Sequence, residues 1–95
     1  MTISEGNKKF LEDLLQYYIE QADSYNQFAK EYQKFSNSEK EIAFGIIVGT
    51  VYSAFLQTYA NQELSVNLED INEFHEFIRD NLDKIQKALD SKFDK

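Results

Sequence analysis

Apolar residues recur with alternating steps of three and four along three stretches of this chain, which is the spacing of an amphipathic helix. In the first stretch the repeat keeps its register over residues 7–35, so one long helix is predicted there. The alternative is a break at Ser24, where Ser24 and Gln27 would form a capping box and open a fourth helix. The predicted core-facing row is Leu11, Leu15, Tyr18, Ala22, Tyr25, Ala29 and Tyr32, and a second row beside it, also expected to be buried, holds Phe10, Leu14, Tyr17, Phe28 and Phe35.

The second stretch is predicted to form a helix over residues 39–61. Ser38 precedes it and Glu41 follows three residues later, which is the spacing of a capping box at a helix start. The β-branched residues 46–48 would also suit a strand, but no other part of the chain offers a partner strand. A helix is therefore predicted by elimination.

The third stretch is predicted to form a helix over residues 68–92. Asn67 is the expected N-cap, and acidic residues behind it suit the positive end of the helix dipole. The predicted core-facing row is Leu68, Ile71, His75, Ile78, Leu82, Ile85 and Leu89.

Together these elements predict an all-α protein with a single domain over residues 1–95. A chain of this length sustains one hydrophobic core, and three helices of similar length joined by short connections pack most simply as an antiparallel, up-down-up bundle. Proline is absent and glycine occurs only three times, so long helices are expected. A helical homodimer is the variant of this architecture considered below.

Charge and composition restrict the classes of partner that are expected. The formal net charge is −7, and such a polyanion is repelled by phosphate backbones and anionic lipids, so neither direct nucleic-acid binding nor membrane attachment is expected. The first residues lack the order of a secretory signal, and no later segment is expected to supply the roughly 20 apolar residues of a membrane span. Cysteine is absent, which fits a reducing compartment. A cytoplasmic protein with a protein partner is predicted.

The second helix carries more apolar surface than a helix with one face in water needs. Gly45, Gly49 and Ser53 recur every four residues, a spacing that lets another helix approach closely. One hypothesis is that these residues, with Ile46, form the self-association face of a homodimer. The other is that they pack against the first and third helices of the same chain.

Acidic residues form a row on the outer side of the third predicted helix. A basic protein surface would bind such a row, whereas an ordinary solvated face would carry it without any function. The five residues are Glu69, Glu73, Glu76, Asp80 and Asp83.

His75, the only histidine, interrupts the Ile/Leu row and is predicted to be a polar residue in the core. A pH-sensitive or general-base role is one interpretation, and a buried imidazole with a hydrogen-bonding partner is the other. No metal site is predicted, because neither Ile71 nor Arg79, one turn away on either side, is a metal ligand.

No catalytic, cofactor-binding or metal-binding motif is present in the sequence, so a non-enzymatic protein is predicted. The leading hypothesis is a small acidic helical protein that acts through self-association and protein–protein interaction. Two alternatives are an inhibitor or immunity-type protein that mimics nucleic acid, and a carrier of a small hydrophobic ligand.

Overall fold

A computed structural model of the chain describes residues 3–32 and 38–93, with side chains described as far as Asp90. Within these residues the protein is all-helical and contains no strand. The five helices described are α1 (Glu5–Glu20), α2 (Ala22–Lys30), α3 (Glu39–Asn61), α4 (Leu68–Asp80) and α5 (Leu82–Phe93). The predicted end of the first helix at residue 35, and most of the turn after it, lie outside the described residues.

Side-chain caps begin three of the helices. The Oγ atoms of Ser4 and Ser38 accept hydrogen bonds from the amides of Asn7 and Glu41, each at 3.1 Å. Asn67 Oδ1 accepts from the amide of Asp70 at 2.8 Å. Each cap satisfies an amide that has no partner within its own helix. The caps at residues 38 and 67 are those that the sequence indicates.

The prediction of one helix over residues 7–35 is wrong, because a single residue, Gln21, separates α1 from α2. Its backbone leaves the helical region, with ψ at 15°, and its amide is shared between the carbonyls of Tyr17 and Tyr18 at 3.1 Å each. The amide of Ser24 then bonds to the carbonyl of Gln21, three residues back rather than four. The boundary therefore lies three residues before the one considered at Ser24.

The prediction of one helix over residues 68–92 is also wrong, and here a side chain explains the break. Asn81 Nδ2 donates to the carbonyl oxygen of Phe77 at 2.8 Å, which is the acceptor that the Asn81 amide would use in a continuous helix. The Asn81 amide bonds instead to Ile78. Asparagine side chains commonly compete with helical hydrogen bonds in this way.

The continuous helix α3 lies at the centre of the fold. It packs against α1, α2 and α5, and α2 and α5 also pack against each other. One ridge of α3, with a side chain every fourth residue, is buried and forms the middle of the core: Ala43, Ile47, Val51, Phe55 and Tyr59. The bundle is elongated, with extents of 41 × 22 × 19 Å.

Candidate interaction surface

The face of α3 opposite the buried ridge lacks charge. Residues 42–60 contain no Asp, Glu, Lys or Arg, although 28% of the whole chain is charged. A surface groove runs along this face of α3 and is bordered on one side by Tyr18 of α1. The other lining residues all belong to α3: Gly45, Ile46, Gly49, Thr50, Ser53, Ala54 and Gln57.

The structure thus brings together all four residues of the self-association face predicted from the sequence. Gly45, Gly49 and Ser53 are exposed and Ile46 is half-buried. A Cβ atom added at Gly45 or Gly49 would meet no neighbouring atom within 4 Å. Within the part of the chain that the structure describes, these glycines therefore do not make room for another helix of the same chain.

Two polar side chains of the groove are hydrogen-bonded within α3. Thr50 Oγ1 donates to the carbonyl of Ile46 at 2.7 Å, and Gln57 Nε2 donates to Asn61 Oδ1 at 2.9 Å. These internal bonds reduce the cost of removing the two side chains from water when a partner covers the groove.

A row of exposed aromatic side chains lies on α1, on α2 and in the turn after α2, and it adjoins the groove at Tyr18. The rings of Tyr17 and Tyr18 are 5.3 Å apart, and the rings of Tyr18 and Tyr25 are 5.6 Å apart, so Tyr18 joins the row to the groove. Burial, followed by the proximity of Tyr18 and Tyr17, raises the pKa of Tyr25. The row consists of Phe10, Tyr17, Phe28 and Tyr32, whose exposed fractions are 39%, 54%, 53% and 45%.

This row departs from the sequence-based expectation, which placed Phe10, Tyr17, Phe28 and Tyr32 in the buried face of the first helix. The residues of α1 and α2 that do reach the core are smaller or lie further round each helix. They include Leu11, Leu15, Ala22 and Ala29, all 0–2% exposed. The aromatic row is therefore a surface feature. Exposed apolar patches often mark interaction sites, and aromatic residues are enriched at protein interfaces.

Helix α3 is also long and apolar enough to cross a membrane, judged by length and composition alone. Its 18-residue window has a mean hydropathy of 1.4, and only 28% of that window is buried inside the protein. This corrects the expectation that no segment approaches the length and apolarity of a membrane span. Most of this window is therefore partly or fully exposed in the single chain.

The predicted acidic row does not lie on one helix. Glu69, Glu76 and Asp80 are exposed on α4, whereas Asp83 lies on α5, beyond the break at Asn81. Glu73 is half-buried, and its Oε1 atom accepts a hydrogen bond from the amide of Ile3 at 3.2 Å. Three carboxylates therefore remain exposed on one helix.

The prediction that His75 occupies the core is wrong, because its side chain is exposed. The imidazole stacks on the ring of Tyr52, with centroids 6.2 Å apart and an interplanar angle of 17°. Helix α4 instead buries Phe74 and Phe77. Tyr52 and His75 thus stack on each other, whereas the ring of Tyr25 contacts that of Tyr18.

A polar cluster, in which Asn7, Tyr59 and Asp70 are buried and Gln62 is exposed, lies where α1 begins, α3 ends and α4 begins. The side-chain amides of Asn7 and Gln62 bond to each other at 2.8 and 3.4 Å. Tyr59 lies beside Asp70, a residue only 4% exposed. Burial raises the pKa of Tyr59, and the nearby charge of Asp70 raises it further. The sequence contains no spacing that would have identified this cluster.

Within residues 3–32 and 38–93 no group of three or more His, Cys, Asp or Glu side chains is placed to hold a metal ion. Comparison with known proteins adds no assignment: no protein-family model, curated protein or solved structure matches the chain. The interpretation of function therefore depends on the surfaces described above.

The open glycines lead to a first prediction, about the stability of the single chain. Gly45→Ala and Gly49→Ala are each expected to raise the free energy of unfolding by about 0.5–1 kcal/mol, because alanine favours a helix interior and the added methyl group meets nothing. Urea unfolding at a concentration where the protein sediments as a monomer measures the effect. Gly6→Ala, at another open glycine in α1, is the matched comparison. A loss of stability at Gly49 would mean that this position has a close neighbour within the monomer.

Proposed function

We propose that this protein is a non-enzymatic, cytoplasmic interaction protein that self-associates through the uncharged face of α3. The observation that supports the proposal best is that Gly45 and Gly49 lie at the surface with no neighbour within 4 Å of an added Cβ. Two glycines inside one helix cost roughly 1 kcal/mol each in helix stability, and contacts within the described chain do not offset that cost. Contacts with a helix from a second copy would offset that cost.

The distribution of charge supports a second copy as the partner. Two chains that each carry a net charge of −7 repel one another, and the repulsion is least where they meet through a charge-free surface. The uncharged residues 42–60 supply such a surface on the only helix described that is also long enough to reach along most of the bundle. In the proposed arrangement the bundle has three antiparallel, up-down-up segments: α1–α2, α3 and α4–α5. The uncharged face of α3 is exposed and contacts the second copy.

The exposed carboxylates of α4 are proposed as a second, weaker surface for a basic protein. Glu69, Glu76 and Asp80 stand on one helix with no basic residue other than Arg79 among residues 64–83. Mimicry of nucleic acid by an inhibitor or immunity-type protein would need a longer row of charges, which the break at Asn81 and the hydrogen bond to Glu73 interrupt. The arrangement of the charges therefore favours self-association over mimicry of nucleic acid.

Sedimentation at micromolar concentration tests the proposal. The wild-type chain is expected at twice its monomer mass of 11.2 kDa, and Gly49→Leu is expected at the monomer mass because leucine fills the groove. Gly6→Leu is the matched control, since Gly6 is equally open but lies on α1 away from the groove. The wild-type mass should change little between low and high salt, because an apolar contact is not screened.

A wild-type chain that sediments at 11.2 kDa at these concentrations would contradict self-association. Loss of the dimer in Gly6→Leu as well would show that the leucine effect is not specific to the groove. A complex that forms only with a basic protein, and whose affinity falls steeply as the salt concentration rises, would favour the acidic surface of α4 instead.

A further inference from the structure

The aromatic row and the α3 groove adjoin at Tyr18. Its ring borders the groove and also contacts the ring of Tyr17, which belongs to the row. On one side of Tyr18 the surface is a row of large exposed rings. On the other side it is an open groove lined by α3, mostly by small residues: two glycines, a serine, an alanine and a threonine, together with Ile46 and Gln57.

The groove alone is too small for a stable interface. Eight residues line it, whereas a specific protein–protein interface takes roughly 20–30 residues from each partner. The aromatic row extends the same surface along α1 and α2. Exposed aromatic side chains are the residue type that most often anchors such interfaces.

We propose that two copies pair with the aromatic row of each copy in the α3 groove of the other. This inference rests on the proposed self-association and specifies its geometry. A two-fold axis makes both contacts identical, so any surface used must be complementary to itself or to another part of the same interface. Large rings on one side and small side chains on the other meet that requirement, whereas two shallow grooves facing each other would leave a gap.

A lipid bilayer is the other partner that α3 would suit by length and composition. The groove on α3 is, however, lined mainly by small and polar residues: besides Ile46, Ala54 and the neighbouring Tyr18, it holds glycine, serine, threonine and glutamine. Small residues of this kind line helix–helix contacts, while large aliphatic residues face lipid. A second protein surface therefore fits the groove better than acyl chains do.

Mixing two complementary variants tests the geometry. The first, Tyr17→Ser with Phe28→Ser, removes the row and keeps the groove, and the second, Gly49→Leu, keeps the row and blocks the groove. Each variant alone is expected to dimerise about tenfold or more weakly than the wild type. The equimolar mixture is expected to form a heterodimer about tenfold tighter than either variant homodimer, because one intact row then meets one intact groove.

Fluorescently labelled samples in sedimentation velocity runs measure all three dimers, and circular dichroism melting verifies that each variant folds. Tyr17 and Phe28 are more than half exposed, so the fold should tolerate serine at both positions. Leu64→Ser is the control for loss of an exposed apolar side chain, because Leu64 has the same exposed fraction as Tyr17 but lies beyond the end of α3. It should leave the wild-type dimer unchanged.

Three results would overturn the inference, and they are distinguishable. If the wild type dimerises and both variants weaken it but the mixture gains nothing, the grooves meet each other, and self-association survives without this geometry. If the row variant dimerises like the wild type, the row is not in the interface. If the wild type is monomeric in water and floats with neutral phosphatidylcholine vesicles, lipid occupies the groove and both proposals fail.

Discussion

Replacing Phe55 with alanine is expected to lower the free energy of unfolding by about 3–5 kcal/mol. Phe55 is 1% exposed and belongs to the buried ridge of α3. Its ring is 5.0 Å from the rings of both Phe74 and Tyr59, so truncation opens a cavity between α3 and α4 that rigid aromatic neighbours cannot fill. A domain of this size is stable by only about 5–15 kcal/mol, so the loss is a large share of the total.

Urea unfolding of Leu56→Ala provides the control, because Leu56 is the next residue of α3 but is 37% exposed. Its truncation should cost clearly less than that of Phe55. Equal losses at the two positions would mean that α3 is buried on a different side from the one described. The same pair of variants also checks the groove, since a different orientation of α3 would cover Gly49.

Replacing Tyr59 with phenylalanine is expected to lower the free energy of unfolding by about 1–3 kcal/mol at neutral pH, because it removes the hydroxyl group that lies beside the buried carboxylate of Asp70. The difference from the wild type should shrink as the pH rises above about 10, the ordinary pKa of tyrosine. The pKa of Tyr59 is raised in the folded protein, so its stabilising contribution is complete below that pH. It is lost as the pH rises through the folded-state value, because the unfolded chain releases the proton more readily.

Unfolding measured from pH 8 to pH 11 tests this second expectation, with Tyr32→Phe as the control at an exposed position. The Tyr32 variant should follow the wild-type pH profile. The raised pKa of Tyr25 acts in the same direction, so some alkaline loss of stability should persist in Tyr59→Phe. A Tyr59→Phe variant as stable as the wild type at pH 7 would show that Asp70 finds its donors elsewhere.

The part of the fold that was predictable from sequence is the part set by local signals. Ser38 and Asn67 have the side chains and spacing of helix caps, and both helices begin where these residues indicate. The bounds of α3 follow from a cap at one end and the end of an apolar run at the other. The stripe of Gly45, Gly49 and Ser53 was also recognisable, because four-residue spacing places side chains on one face of any α-helix.

The breaks at Gln21 and Asn81 were not predictable from hydrophobic periodicity, because each interrupts the hydrogen-bond ladder without shifting the repeat. At Asn81 the cause is one side-chain hydrogen bond to Phe77, which hydrophobic periodicity does not report. The misplacement of His75 has a different cause. Three turns of an α-helix take about 11 residues, so Phe74 rather than His75 lies on the face of Ile85, and Phe74 is the residue that is buried.

The aromatic row was misassigned for a different reason. Hydrophobicity predicts which side chains favour burial. In a narrow bundle, however, each helix buries only the surface that the neighbouring helices can cover. Small residues such as Ala22 and Ala29 bring α2 close to the core, and the larger Phe28 is left outside. Only the packed arrangement of the helices identifies such a residue as a candidate contact.

The breaks at Gln21 and Asn81 also bear on how the chain acquires its structure. They leave α2, α4 and α5 with 9, 13 and 12 residues, whereas a lone helix shorter than about 12–15 residues is only marginally stable in water. These segments therefore stay helical only while they pack against the rest of the bundle around α3. Secondary and tertiary structure should therefore form together, in a single cooperative step with α3 as the template.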